Sequence, residues 1–244
     1  MPLAAIVQLC SLGGEYDEFS SVAMSAMTPA EAVEHVVTTN PTFAVHEVDV
    51  RGVTFKAFKN IPGTVPGLLT AGWAQHGEGT LEYLAYESDS YTYAEFTQSV
   101  NQLAHAMRDE LGLGQGDRVA IAMRNYPELL MLVLAISSMG GVVVFLNAWW
   151  TTKELDYALR DSGAKVVFAD GPRLERMTPL RDDLGLTIIG VRDGEGQSAL
   201  NFTGFKDGAA SDVAPEVEID TDDDFAVMYS SGTTGHPKGV VQTH

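Results

Sequence analysis

Between Tyr229 and Gly239 the chain reads YSSGTTGHPKG, a short run that concentrates groups able to hold an anion. Ser230, Ser231, Thr233 and Thr234 contribute four hydroxyl donors. Gly232, Gly235 and Gly239 allow positive φ and let backbone N–H groups approach a ligand with no Cβ in the way. Lys238 adds a mobile point charge suited to phosphate, and Pro237 limits the freedom of the chain beside it. A set of this kind grips and orients a polyphosphate rather than reacting with it. The bare composition also fits a polar turn between two strands.

Two familiar phosphate loops fail by spacing. The Walker pattern needs a glycine five residues after Gly232, where Pro237 stands, and a hydroxyl after the lysine, where Gly239 stands. The dinucleotide fingerprint fails at GLGQG, residues 112–116, which lacks the third glycine and runs from a helix into a strand.

The elements that must position this loop alternate along the chain. Thr92 and Glu95 form a capping box, after which Phe96, Val100, Leu103, Met107 and Leu111 recur at helical spacing up to Gly112. RVAIAM follows as a strand, then a helix from Pro127, then VVVFL. Thr151 and Glu154 cap a helix ending near Gly163, and KVVFAD is the next strand. A helix through LERMTPLRDDLG leads to the strand TIIGV, and FAVMYS delivers the chain into the loop. The strands are apolar on both faces, so the fold class is α/β, with a parallel sheet covered by helices. Thr28, Pro29 and Glu31 open an earlier helix, whereas the rest of 28–90 gives no clear assignment.

Residues 129–152 carry no charge, a run long enough to cross a bilayer. Gly140-Gly141 and the switch to β-branched residues after them favour a buried helix followed by a buried strand, with no membrane span. Trp149 and Trp150 read as aromatic cover at that strand's end. Residues 207–224 hold eight acids and no base, but Phe225 and Ser231 fall where a calcium loop needs glycine and glutamate, so a solvated linker is expected.

Fifteen Lys and Arg against 33 Asp and Glu leave a net charge of −18, which repels nucleic acid and anionic membranes. No Lys or Arg precedes Arg51, so MPLAAIVQLC has no secretory n-region. A single cysteine, Cys10, fits a reducing compartment, and a cytoplasmic location is expected. Residues 1–27 are expected to be an N-terminal extension, with Met24 and Met27 as alternative starts.

YSSGTTGHPKGVVQTH resembles the signature of the adenylate-forming (AMP-binding) enzymes, which include acyl- and aryl-CoA synthetases, adenylation domains and luciferases. At a usage of about 5–7% per residue type, its eight fixed positions coincide by chance on the order of once in 10⁹–10¹⁰ starting points. The upstream order of a capped helix, GDRVAIAMRNYPELL, LNAWWTTKELDYALRDSGAKVVFAD and an acidic stretch matches as well. It is closest to the acyl-CoA synthetase branch.

The resemblance implies that residues 28–244 are the N-terminal part of the large AMP-binding domain, incomplete just after the phosphate loop. It implies ATP, Mg²⁺, coenzyme A and a small carboxylic acid as substrates. Ser230, Ser231, Gly232, Thr233, Thr234, Gly235, Lys238 and Gly239 would hold the departing phosphates, with Thr233 approaching Mg²⁺. The family's groups for adenine, ribose and lid lie downstream. No catalytic residue is therefore expected before His244, and the chain alone is expected to be inactive. The competing expectation is a short nucleotide-binding or regulatory module without catalysis.

Overall fold

The computed structural model describes residues 27–74, 79–230 and 237–244. The chain forms two compact units, residues 1–63 with 67–77 and residues 64–66 with 78–244.

In the first unit, helix α1 (Pro29–Thr39) starts at a complete Thr28/Glu31 capping box. Strands β1 (Val45–Val50) and β2 (Val53–Phe58) pair antiparallel through a two-residue turn with Arg51 and Gly52 both at positive φ. That is the twist a tight hairpin prefers. Helix α2 (Val65–Ala74) follows, with Val65 and Pro66 grouped in the second unit and its remaining residues in the first. Helix α1 is the one opened by Thr28, Pro29 and Glu31, whereas β1, β2 and α2 lie in the stretch that sequence patterning left unassigned.

The second unit carries the sheet. Strands β3 (Glu82–Tyr86) and β4 (Asp89–Thr92) form a hairpin, and α3 (Tyr93–Leu111) begins at the Thr92/Glu95 capping box and ends at Gly112 with φ 66°. Then come β5 (Arg118–Ala122), α4 (Pro127–Ser138), β6 (Val142–Phe145), α5 (Thr152–Ser162) and β7 (Val166–Asp170). Helix α6 (Gly171–Met177), α7 (Arg181–Leu184), β8 (Thr187–Val191), β9 (Leu200–Asn201) and α8 (Phe202–Asp207) lead to β10 (Asp224–Ser230) and β11 (Lys238–Thr243).

The single helix expected through LERMTPLRDDLG is broken into α6, a 3-10 turn at Thr178–Leu180, and α7. Pro179 is the cause, because it has no N–H to donate and its ring clashes with the carbonyl four residues earlier.

The seven-stranded sheet runs β11-β10-β6-β5-β7-β8-β9, parallel throughout except that β11 returns antiparallel along β10. Alternate residues serve opposite faces. Ala120, Ala122, Val142, Val144, Val167 and Ala169 join Leu155, Leu159, Leu174 and Met177 of α5 and α6 in one core. The intervening Val119, Ile121, Val143 and Phe168 are also fully or nearly fully buried, as are Phe96, Leu103, Leu132 and Ile136 of α3 and α4. A parallel sheet apolar on both faces needs this double cover.

The uncharged run folds as helix α4, a turn and strand β6. Gly140 sits at φ 76°, and a Cβ on Gly141 would fall 2.8 Å from Cε of Met139. No helix among the described residues is long and apolar enough to cross a membrane. The acidic segment is largely exposed, as expected of a solvated linker, and is anchored at a few points. Asn101 and His105 of α3 meet the carbonyls of Asp212 and Val213 at 2.8 and 2.9 Å, and Gln115 donates to the Asp223 carboxylate at 2.9 Å.

Candidate functional site

The phosphate-loop residues Ser231, Gly232, Thr233, Thr234 and Gly235, with His236, lie outside the described residues. The two arms that carry them are described. Strand β10 runs parallel to β6, so it ends at the carboxyl edge of the sheet, where open α/β sheets bind their ligands. Ser230 closes β10 and stands directly across from Lys238, which opens β11. Both side chains are exposed. A hydroxyl donor and an ammonium are thus held one strand spacing apart at the mouth of the loop. Gly239, though its type allows positive φ, lies in regular strand, facing Tyr229.

Strand β10 is braced from the side. The Tyr229 hydroxyl is 2.8 Å from Oδ2 of Asp161 and 3.1 Å from the carbonyl of Ala158, both in α5. Burial first, and then the Asp161 carboxylate, push the phenol well above its ordinary pKa, so it stays protonated. The Trp150 ring meets Tyr229 edge-on at 5.6 Å, while Trp149 is 83% exposed with the Arg173 guanidinium 5.9 Å from its ring centre. The expected aromatic cover is therefore supplied by Trp150 and not by Trp149.

The sheet reverses its winding between β5 and β7, the place where such sheets form a crevice. Here a buried ion pair occupies it. Asp170, fully buried, accepts from Arg173 Nη1 at 3.1 Å and from the Arg124 backbone at 3.1 Å. Arg173 Nε also donates to the Ala148 carbonyl at 2.8 Å, and Arg176 donates to the carbonyls of Ala148 and Trp150 at 3.1 and 3.0 Å. Together they fasten the segment after β6 to α6. Sequence patterning missed this group because KVVFAD read only as a strand. An Asp followed three residues later by Arg is the local signal that marks it.

His244 lies within the same unit. Its Nδ1 accepts from the Val65 backbone N–H at 3.2 Å, its backbone N–H donates to the Asp223 carbonyl at 3.1 Å, and its ring is 5.4 Å from Phe225. Because Nδ1 accepts, the neutral ring carries its proton on Nε2, which is buried without a partner among the described residues. Burial pushes its pKa down, with Asp223 opposing. No cluster of His, Cys, Asp and Glu among the described residues could hold a metal ion.

Residues 72–244 match the family model described as AMP-binding enzyme. The chain is 34% identical over 160 residues to 4-coumarate–CoA ligase 1 of Arabidopsis thaliana, covering 63% of this chain and 28% of that protein. It is 37% identical over 156 residues to the long-chain-fatty-acid–CoA ligase FadD13 of Mycobacterium tuberculosis, covering 63% and 29%. The crystal structure of ATP-bound MatB from Rhodopseudomonas palustris superposes with a TM-score of 0.63 at 27% identity, over 73% of this chain and 35% of that one. The chain thus spans under a third of the length of the two ligases it matches, and its fold is that of the N-terminal part of such enzymes.

Proposed function

The chain belongs to the AMP-binding enzyme family, and from that premise we propose that it is the N-terminal part of an acyl- or aryl-CoA ligase. In the proposed reaction a substrate carboxylate attacks the α-phosphorus of ATP. The bond to the bridging oxygen breaks, and pyrophosphate leaves. The thiol of coenzyme A then attacks the acyl carbonyl, losing its proton and releasing AMP. Positioning and charge stabilisation carry such a step, since little covalent chemistry falls to the protein.

The observation that carries this reading is the register that sets Ser230 against Lys238 at the carboxyl edge of the sheet. Ser230, Ser231, Thr233, Thr234 and Lys238 are proposed to hold the β- and γ-phosphates, with Gly232, Gly235 and Gly239 giving the backbone close approach. ATP is taken as its magnesium complex, with Thr233 as the hydroxyl nearest the ion. Residues 28–244 are proposed to be one part of the AMP-binding domain, and the cytoplasm, where ATP, coenzyme A and reduced thiols coexist, to be its location.

The test is carboxylate-dependent exchange of labelled pyrophosphate into ATP. In a full-length ligase carrying residues 1–244, Lys238→Ala or Thr233→Ala is expected to slow adenylate formation by roughly 10–10³-fold, the range for removing one donor from a developing charge. Thiol transfer from preformed acyl-adenylate is expected to change little, because pyrophosphate has already gone. Equal losses in both half-reactions would mean a structural loop. Residues 1–244 alone are expected to show no exchange, and exchange that Lys238→Ala abolishes would refute that expectation.

A further inference from the structure

Gly239 is the second residue of the hairpin's outer strand, where a glycine weakens a sheet by giving neighbours nothing to pack on. Its place is taken from across the strand. A Cβ added to Gly239 would lie 3.0 Å from Cγ1 of Val227 and 3.3 Å from Cε1 of Tyr229. The phenol ring therefore packs beside the glycine together with Val227, a known way of strengthening a strand pair at such a residue. The same ring is held at its far end by Asp161 and along its edge by Trp150.

Helix α5, which supplies Asp161, is itself anchored. Its N-terminus carries the Thr151/Glu154 capping box, and the Thr152 hydroxyl donates to the Arg176 carbonyl at 2.9 Å. Arg176 in turn holds Trp150. Tyr229 thus joins a fixed helix to both strands of the hairpin, one residue before Ser230 and opposite the residue after Lys238.

We propose that Tyr229 is a positioning residue for the phosphate grip. Its ring beside Gly239 and its tether to Asp161 set the register in which Ser230 faces Lys238. This rests on the reading of the hairpin as a grip on the phosphates of ATP. A phenylalanine would keep the ring and lose the tether, leaving the hairpin free to lift from α5. Asparagine at 161 would weaken the same bond from the other side.

The experiment compares Tyr229→Phe, Asp161→Asn and the double variant with Lys238→Ala in a full-length ligase carrying residues 1–244. Tyr229→Phe is expected to raise KM for ATP in adenylate formation about tenfold, the size of one lost hydrogen bond to a charged group. Thiol transfer from preformed acyl-adenylate should be unchanged. Asp161→Asn should match it, and the double variant should be no worse than either, because the two share one bond.

In residues 1–244 alone, amide exchange across β11 should quicken about tenfold in Tyr229→Phe, by the same lost bond, while α3 is unaffected. If Lys238→Ala cripples adenylation while Tyr229→Phe leaves KM for ATP within about twofold, less than one hydrogen bond is worth, the positioning role is refuted and the grip stands. A lowered melting temperature with unchanged KM refutes the positioning role in the same way. If Lys238→Ala has no effect on adenylation, the grip itself is wrong and the role of Tyr229 goes with it.

Discussion

His244 shows at the scale of one residue how burial decides a charge. Its Nδ1 is committed to the Val65 N–H, so a second proton could enter only by breaking that bond. Burial lowers its pKa below the ordinary 6.5, and Asp223 only partly offsets this. The unfolded chain therefore takes up the proton first as pH falls. Stability linked to His244 is full above about pH 6.5 and declines below it, down to the folded value. An NMR titration of the His244 ring is expected to show a midpoint under 6.5, and one at or above 6.5 would contradict the burial. Lys238, by contrast, is exposed, as the proposed phosphate grip asks of a mobile point charge.

Arg192 links three elements. Its Nη2 is 2.7 Å from Oδ2 of Asp89 in β4, and its Nε is 2.9 Å from Glu128 in α4. Its guanidinium lies 5.4 Å from the Tyr86 ring and 5.2 Å from the Tyr126 ring, and the two rings meet edge-on at 5.9 Å. Burial works against its charge, but the bonds to Asp89 and Glu128 outweigh this and raise its pKa. The backbone adopts φ 52°, uncommon for a side chain of this size.

Arg192→Ala leaves Glu128 buried and unpaired, a loss of about 2–3 kcal/mol. For a chain of this size that is a fall in melting temperature of about 5–10 °C. Millimolar methylguanidinium should restore part of it by entering the vacated cage, whereas Arg192→Lys should recover less because it lacks the planar fork. A melting temperature unchanged by Arg192→Ala would show that the cage holds nothing together.

The whole molecule poses a question that no single element answers, because the uncharged run of 129–152 is long enough to span a bilayer. Its first half lies in helix α4 and its second holds strand β6, both largely buried in the sheet unit, before an exposed turn at 147–151. Alkaline carbonate extraction of cells expressing the full-length protein is expected to release it from membranes. Retention in the washed pellet would overturn the buried reading. A net charge of −18 acts in the same direction, since it repels anionic lipid surfaces at a range set by ionic strength.

What could be read from the sequence depended on interactions between near neighbours. The three capping boxes, Thr28 with Glu31, Thr92 with Glu95 and Thr151 with Glu154, each close over three residues and appear in the structure as written. The strands entered by Arg118, Val166, Thr187 and Asp224 were legible for the same reason, since apolar runs and the turns between them are local signals. So was the signature between Tyr229 and His244, whose hydroxyls, glycines and lysine stand side by side in the chain.

The tertiary structure alone decided the bonds that reach across the chain. Tyr229 meets Asp161 68 residues away, Arg192 meets Asp89 across 103 and Glu128 across 64, and His244 meets Val65 across 179. No spacing rule encodes such partners, because they come together only when the sheet order β11-β10-β6-β5-β7-β8-β9 places their strands and helices side by side. Gly239 illustrates the difference. Its type permits a left-handed backbone, yet it stands in regular strand, with Cγ1 of Val227 and the ring of Tyr229 beside the place a Cβ would take.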